Sequence, residues 1–512
     1  MKAIKLLFLI PVLLFSIVAC QKEDATFVEK SDPTGRVTVR NVPIRVVPQA
    51  GLKTVPAEPL GFDFSLIAEV DAPMIGDAVL QATEVKLNGN YAAVSYNMKG
   101  AGLLGALEIM DVANPFIPAI LKTFLFPDAD INTVEWLEDY IVIGGQDIDG
   151  AFYALVDPDG AISQVIERKR LTGHSTINIL TLGDEILMVT GDNGGITWIN
   201  AVTGNQEGFE SFVDARSIDV VGMNRGVLLT STFLHLVDEL NTQSLPLDPT
   251  WIQPQSKADV EADDDFIYAA LNRGGVKIYN HNLVEVDYID RPVTPSGLNP
   301  EDFVSNSVSA NQGLLFTANG GAGILVSRFT ENPSDLFVEY GYFDFGGSFS
   351  SNYVKSQGNF IFVATGLGGL KILSFEEREP FVCENWSGET AFAGSMQGAG
   401  SAWWYIFETG ATPMESVTHP IFAGQRRVPG ASVTYWNNVL TIDLGPFMRL
   451  KEGSETVKIQ GYNTGQLPNR RPPAGQFTTY KGESLVVEVG HFDYFVIHLD
   501  VEVCQDEVPT SK

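Results

Sequence analysis

Few side chains in this sequence have both the type and the spacing that chemistry needs. The six histidines, His174, His235, His281, His419, His491 and His498, form no HExxH pair and no Cys-His zinc spacing. His491 and His498 are seven apart, so on a regular strand they point to opposite faces. There is no G-x-S-x-G elbow for a serine nucleophile. The Gly-rich turns at Gly194-Gly195, Gly274-Gly275, Gly321-Ala322-Gly323 and Gly368-Gly369 have no Gly-Lys-Ser/Thr and no following helix, so they read as turns needing positive φ or close backbone approach.

Two groups of charges remain. Asp128, Asp130, Asp147 and Asp149 fall on neighbouring loops, where they repel unless spread apart or bridged by a hard cation such as Ca²⁺. The run Asp128-x-Asp130-x-Asn132 has the spacing that opens a calcium loop, but Thr133 stands where such a loop needs Gly, and solvated acidic loops are the alternative. Arg216, Lys257 and Arg273 are basic positions in a chain of net charge −30. Grouped on one rim, they would grip a carboxylate or phosphate, Arg as a planar fork and Lys as a point charge. Ion pairing of Arg216 with Asp214 and of Arg273 with the Asp263–Asp265 turn is the competing reading. Trp403-Trp404-Tyr405 offers either a sugar-stacking platform or core packing.

The elements that must position these residues come in a repeating unit. From Glu84 to Phe126 a short strand, a turn at Asn88-Gly89, and strands at Tyr91–Val94, Leu107–Val112 and Ala119–Phe126 make a four-stranded antiparallel sheet. The second strand of each unit is expected to begin at Tyr91, Tyr140, Ile186, Val227, Phe266, Leu314 and Phe360, at spacings of 49, 46, 41, 39, 48 and 46. These strands are apolar on both faces, as strands covered by a neighbour on each side must be. The fold class expected is therefore all-β, a seven-bladed β-propeller followed by a small β-sandwich. The seventh unit lacks a fourth strand, and Phe64–Val70 is expected to supply it and close the ring. Ligands then meet the loops joining second to third strands and fourth strands to the next blade, among them Asn97–Leu104, Pro127–Asn132, Gly173–Thr176, Asp214–Arg216 and Ser305–Asn306.

Leu107-Glu108-Ile109-Met110-Asp111 followed by Asn114-Pro115 resembles the LVIVD repeat. The resemblance implies a β-propeller, in a family many of whose members have no known activity.

The N-terminus reads as an address. Lys2 and Lys5 precede an apolar segment from Leu6 to Val18, too short to span a bilayer, that ends in Ile17-Val18-Ala19-Cys20. This is similar to the lipobox of bacterial lipoproteins, which implies that residues 1–19 are removed and Cys20 is diacylated. Gln21-Lys22-Glu23-Asp24 looks like the export signal of surface lipoproteins in Bacteroidetes-type bacteria, which implies the outer membrane, exposed on the cell surface. Residues 20–59 are expected to form the acylated end and a Pro-rich tether, with Arg36–Val47 β-prone but weakened by Pro43. The propeller is assigned to 60–378 and the sandwich to 381–512. In an extracytoplasmic protein, Cys383 and Cys504 at the two ends of that sandwich suggest a disulfide, with two buried free thiols as the alternative.

The excess of 63 acidic over 33 basic residues excludes nonspecific binding to nucleic acid or to anionic lipid. Three function classes remain: a surface binding or scaffold protein acting with a surface protein or glycan, an extracellular hydrolase or lyase, and a carbohydrate-binding protein acting through the sandwich. The first needs no cofactor and no catalytic group and is the reading adopted.

Overall fold

Short apolar strands that bury both faces need a neighbour on each side, and the chain meets that need by arranging its sheets in a ring. The computed structural model describes residues 35–47 and 60–505, apart from 163–165, 223–224, 238–241, 255, 293, 295–297, 301–302, 333–334, 347–348, 379–382, 398–402, 411–415 and 437. Cys20, the leader before it and the acidic run after it lie outside the described residues.

Among the described residues, four-stranded antiparallel sheets recur along the chain as blades. Blade one runs Gln81–Asn88, Tyr91–Asn97, Gly105–Asp111 and Ala119–Phe126. The second strands of blades two to seven are Ile141–Asp147, Glu185–Val189, Arg225–Thr230, Ile267–Ala270, Leu314–Ala318 and Phe360–Ala364. All are buried over most of their length, whereas fourth strands such as Gln206–Ser211 and Thr242–Pro246 lie on the exposed perimeter.

Seven apolar clusters sit at the seven junctions between blades. Phe124, Phe126 and Leu107 of blade one meet Ile131, Ile141 and Phe152 of blade two. Further clusters follow at each junction round to blades six and seven, where Phe64 and Phe375 pack on Phe316. The last cluster joins blade seven back to blade one, with Ile67, Phe362 and Tyr353 against Val85, Ala92 and Tyr96, and this closes the ring.

Closure depends on strand exchange. Phe62–Val70 pairs antiparallel with Leu370–Glu377 and so becomes the fourth strand of blade seven. Gly369 opens that third strand at φ +70, and a Cβ there would overlap the Val70 carbonyl oxygen, so this turn requires glycine. Val37–Ile44 then adds a fifth strand on the outside of Phe62–Val70, with Pro43 opposite Ser65. Pro is tolerated there because the strand is at a sheet edge.

Arg36 anchors this added strand. Its guanidinium binds Glu108, which is fully buried in blade one, and donates to the Asp71 carbonyl at 2.8 Å. Tyr96 Oη and Thr123 Oγ1 also donate to Glu108, at 2.8 and 2.7 Å.

The innermost strand of each blade is a sheet edge facing the central channel, so its backbone N–H groups need acceptors. Side chains of the preceding blade supply them: Glu84 accepts from Val134 N, Asn178 from Ile218 N, Asp219 from Ala262 N, Glu261 from Ala310 N and Ser307 from Val354 N.

The C-terminal unit differs in one respect from the expected sandwich. Its strands form one continuous eleven-stranded sheet. Tyr494–Cys504 is shared, pairing with Trp386–Ala393 and with Val457–Tyr462. Phe407 and Val487, on strands near opposite ends of the pairing order, belong to the same buried core, so the sheet curls around it. Trp436 of this unit packs on Tyr342 of the propeller, with ring centroids 5.7 Å apart.

Candidate functional site

All seven blades contribute to one cavity of about 590 Å³ at the end of the channel where second strands turn into third strands. Its walls come from the mouth ends of the innermost strands and the loops beside them, so the ring itself fixes their positions.

On one side the wall is a chain of amides. Gln81 Nε2 donates to Asn97 Oδ1, Asn97 Nδ2 to Asn132 Oδ1, and Asn132 Nδ2 to Ser175 Oγ, each at 2.7 Å. This chain crosses blades one to three. Each amide is oriented by its neighbour, so the wall keeps its pattern of donors and acceptors without a ligand. Asn352 Nδ2 of blade seven donates to the Ala82 carbonyl of blade one at 3.1 Å, continuing the girdle across the closure.

The side chain of Lys257 crosses the hole. Lys257 leaves blade five and donates from Nζ to the Thr83 carbonyl of blade one at 2.8 Å, with Nζ 4.4 Å from the centre of the Tyr353 ring of blade seven. Both Lys257 and Thr83 line the cavity, so this bridge lies at its floor. Deeper in the channel Lys86 sits 3.6 Å from Glu84 and 3.5 Å from Glu135, and Lys355 pairs with Glu261 at 3.0 Å. Lys257, by contrast, has no carboxylate ion pair among the described residues. Burial holds its ammonium below the ordinary lysine value, with Lys86 acting in the same direction and Glu84 and Asp259 opposing. Asp259, two residues along, is buried and accepts from Ser217 Oγ at 2.7 Å. Burial raises its carboxyl to about 6, against the pull of Lys257.

Arg216 is also in the wall and is nearly fully buried. Its Nη2 donates to Asp214 at 2.6 Å and its Nη1 to the Ser256 carbonyl at 3.0 Å, while its Nε–H has no acceptor among the described residues. A hydrogen bond with Asp214 raises the carboxyl of Asp192, which lines the cavity beside His174. The structure thus brings Arg216 and Lys257 together. Arg273 is exposed and lies outside the cavity, near Arg291, and the Asp263 carboxylate is occupied by the N–H groups of Asp265 and Phe266 and by Tyr268 Oη.

Arginines meet three of the four aspartates. Asp128 is bound by Arg168 at 2.6 Å, and Asp147 by Arg168 at 3.0 Å and by Arg170. Asp149 lies 3.4 Å from Arg170. Hydrogen bonds from Arg170, Asp149 N and Arg168 hold the Asp147 carboxyl low against its burial. Asp130 turns instead to the cavity, accepting from Met98 N and Gln146 Nε2 at 3.2 and 3.1 Å. Two arginines do the neutralising, and no three His, Cys, Asp or Glu are placed to hold a metal among the described residues. The basic run Arg168-Lys169-Arg170 that supplies them carries no strand pattern in the sequence.

Trp404 and Tyr405 are buried, and Tyr405 stacks on Phe422 at 4.7 Å, so this run is core and not an exposed platform. Cys383 and Cys504 are joined by a disulfide beside the Trp386–Cys504 pairing.

No family model matches the chain, and no curated protein matches it. Among solved structures it is similar to that of U3-55K (11% identity, TM-score 0.45, 64% of this chain and 100% of that one). The RRP9 WD40 repeats give 11% and 0.45 over 65% and 100%. The computationally designed Ika8 protein gives 13% and 0.37 over 65% and 99%. The propeller assignment rests on the strand pairing and junction clusters described above.

Proposed function

We propose that this chain is a surface lipoprotein of the LVIVD-repeat, Bacteroidetes type, anchored in the outer membrane through Cys20, whose propeller binds the acidic group of a small ligand, a glycan or a partner protein in the central cavity. The observation that carries the binding reading is the Lys257 amine at the floor of a cavity built by seven blades, with a neutral carbonyl as acceptor and no carboxylate ion pair among the described residues. Glu84 and Asp259 offset its charge only from a distance, so an anion that enters can pair with it directly. The lipobox-like Ile17–Cys20 and the acidic run Lys22-Glu23-Asp24 support the address.

Two measurements test this. Cys20→Ser is expected to release the protein from membranes, because an acyl anchor supplies burial that so acidic a chain lacks. Persistence of the variant in the membrane fraction defeats the lipoprotein reading. In a binding screen of acidic and neutral glycans and small acids, Lys257→Ala should lose acidic ligands whose affinity falls with salt. A ligand that is neutral and indifferent to both overturns the cationic floor.

A further inference from the structure

Lys257 has the surroundings of a reactive amine rather than of an ordinary ion-pairing lysine. Protein encloses it, yet it faces a cavity that can admit a small molecule. Among the described residues its one side-chain hydrogen bond goes to a neutral carbonyl, and it lies over the Tyr353 ring. A second ammonium, that of Lys86, lies near the same ring at 5.8 Å. Desolvation together with a neighbouring cation is the environment that keeps a lysine amine neutral and nucleophilic.

The residues around the amine supply the rest of the chemistry. Lys257 and Asp259 both line the cavity, and Asp259, which opens the first strand of blade five, is close enough for its charge to act on the amine. The two make no direct hydrogen bond among the described residues, so Asp259 can pass a proton to the amine by way of one water. The guanidinium of Arg216 lies against the Ser256 carbonyl, next to Lys257 in the chain, and can meet an anionic group attached beside the reacting carbon.

We propose that Lys257 captures a carbonyl-bearing small anion, of the 2-oxo acid class, as an imine at the floor of the central cavity. The proposal rests on the reading of this cavity as the ligand site. The nitrogen lone pair forms a bond to the carbonyl carbon while the C=O π pair moves to oxygen, which takes the first proton that the nitrogen gives up. The resulting hydroxyl then leaves as water with a proton from Asp259, the C=N bond forms, and the second nitrogen proton returns to Asp259. Amine and carbonyl become imine and water, with no oxidant or reductant involved. The titratable groups facing the amine are Glu84 and Lys86 of blade one, Asp259 at the start of the strand that follows it and the phenol of Tyr353 of blade seven, which burial keeps neutral.

The test uses the full chain with pyruvate as the probe. Pyruvate and borohydride are added together near neutral pH, and peptide mapping by mass spectrometry locates the reduced adduct. The expected result is more label on Lys257 than on all other lysines together, and loss of that label in Lys257→Arg at an unchanged melting temperature. Label spread over lysines by exposure alone overturns the imine, whatever the variant does. Calorimetry without borohydride separates the two readings: pyruvate that binds without labelling Lys257 leaves the cavity site standing and removes the imine. Pyruvate that neither binds nor labels removes the imine, and the screen of acidic glycans and small acids then decides the cavity site on its own.

Discussion

Arg36 precedes every blade in the chain, yet its removal should loosen the ring. Arg36→Ala leaves the Glu108 carboxylate fully buried with only Tyr96 Oη and Thr123 Oγ1 as donors. Removing one partner of a buried ion pair costs about 3–5 kcal/mol. The two remaining hydroxyls and the partial exposure of Arg36 place this case near the lower end, about 3 kcal/mol. Glu108→Gln keeps an acceptor for Tyr96 and Thr123 and removes the charge, so it should cost less, about 1–2 kcal/mol. With the carboxylate gone, Arg36→Ala loses most of its effect, and the double variant should fall short of the sum by about 1–2 kcal/mol. Urea unfolding of the four proteins, followed by tryptophan fluorescence, gives the cycle. A loss under about 1 kcal/mol for Arg36→Ala, or strict additivity, would refute the view that this ion pair holds the added strand to blade one.

Three further outcomes are expected. Asp259 has a folded value of about 6 against an ordinary 3.8, so the native state holds the extra proton between them; its stability contribution is full below about 4 and is lost as pH rises through 6. Wild type should thus lose up to about 3 kcal/mol relative to Asp259→Asn between those limits, and parallel curves of melting temperature against pH for the two proteins would contradict it. Gly369→Ala combines a positive φ with overlap of the Val70 carbonyl and should destabilise by about 3 kcal/mol, appearing first as protease cleavage before Val70; wild-type resistance would count against it. Cys383→Ser opens a bridge between residues 121 apart and should weaken the C-terminal unit by roughly 4 kcal/mol while leaving propeller unfolding in place, so a shift confined to the propeller transition would be the wrong result.

The propeller was legible in the sequence because its signals are local. Strands begin at Tyr91, Leu314 and Phe360 as expected, and the other four second strands begin within two residues of expectation, since the turns decide where pairing starts. The closing strand was legible through the likeness of Phe64–Val70 to Ala119–Phe126. The site was legible only in part. Arg216, at the start of a first strand, and Lys257, just before one, lie at ends that a propeller sends to its mouth, but the bridge from Lys257 to Thr83 joins residues 174 apart and follows from the curvature of the whole ring. The partnership of Arg168 and Arg170 with the aspartates was hidden because the fourth strand that carries Arg170 is only two residues long, too short to leave a pattern. The single curled sheet of the C-terminal unit was equally hidden, since no periodicity states that Tyr494–Cys504 pairs with several strands.

Strand exchange in blade seven also sets an order of events during folding. Phe62–Val70 is made early in synthesis, but its partner Leu370–Glu377 comes some three hundred residues later. Pairing across that separation carries a large loop-closure entropy, so it belongs to the slowest class of contacts and comes after the local hairpins. Until it happens, the outer edge of Leu370–Glu377 and the facing sides of blades one and seven stay bare, the arrangement in which one chain can lend its first strand to another. Refolding at high protein concentration should therefore yield strand-swapped dimers, whereas a permuted chain carrying Phe62–Val70 directly after Glu377 turns the slow step into a local hairpin.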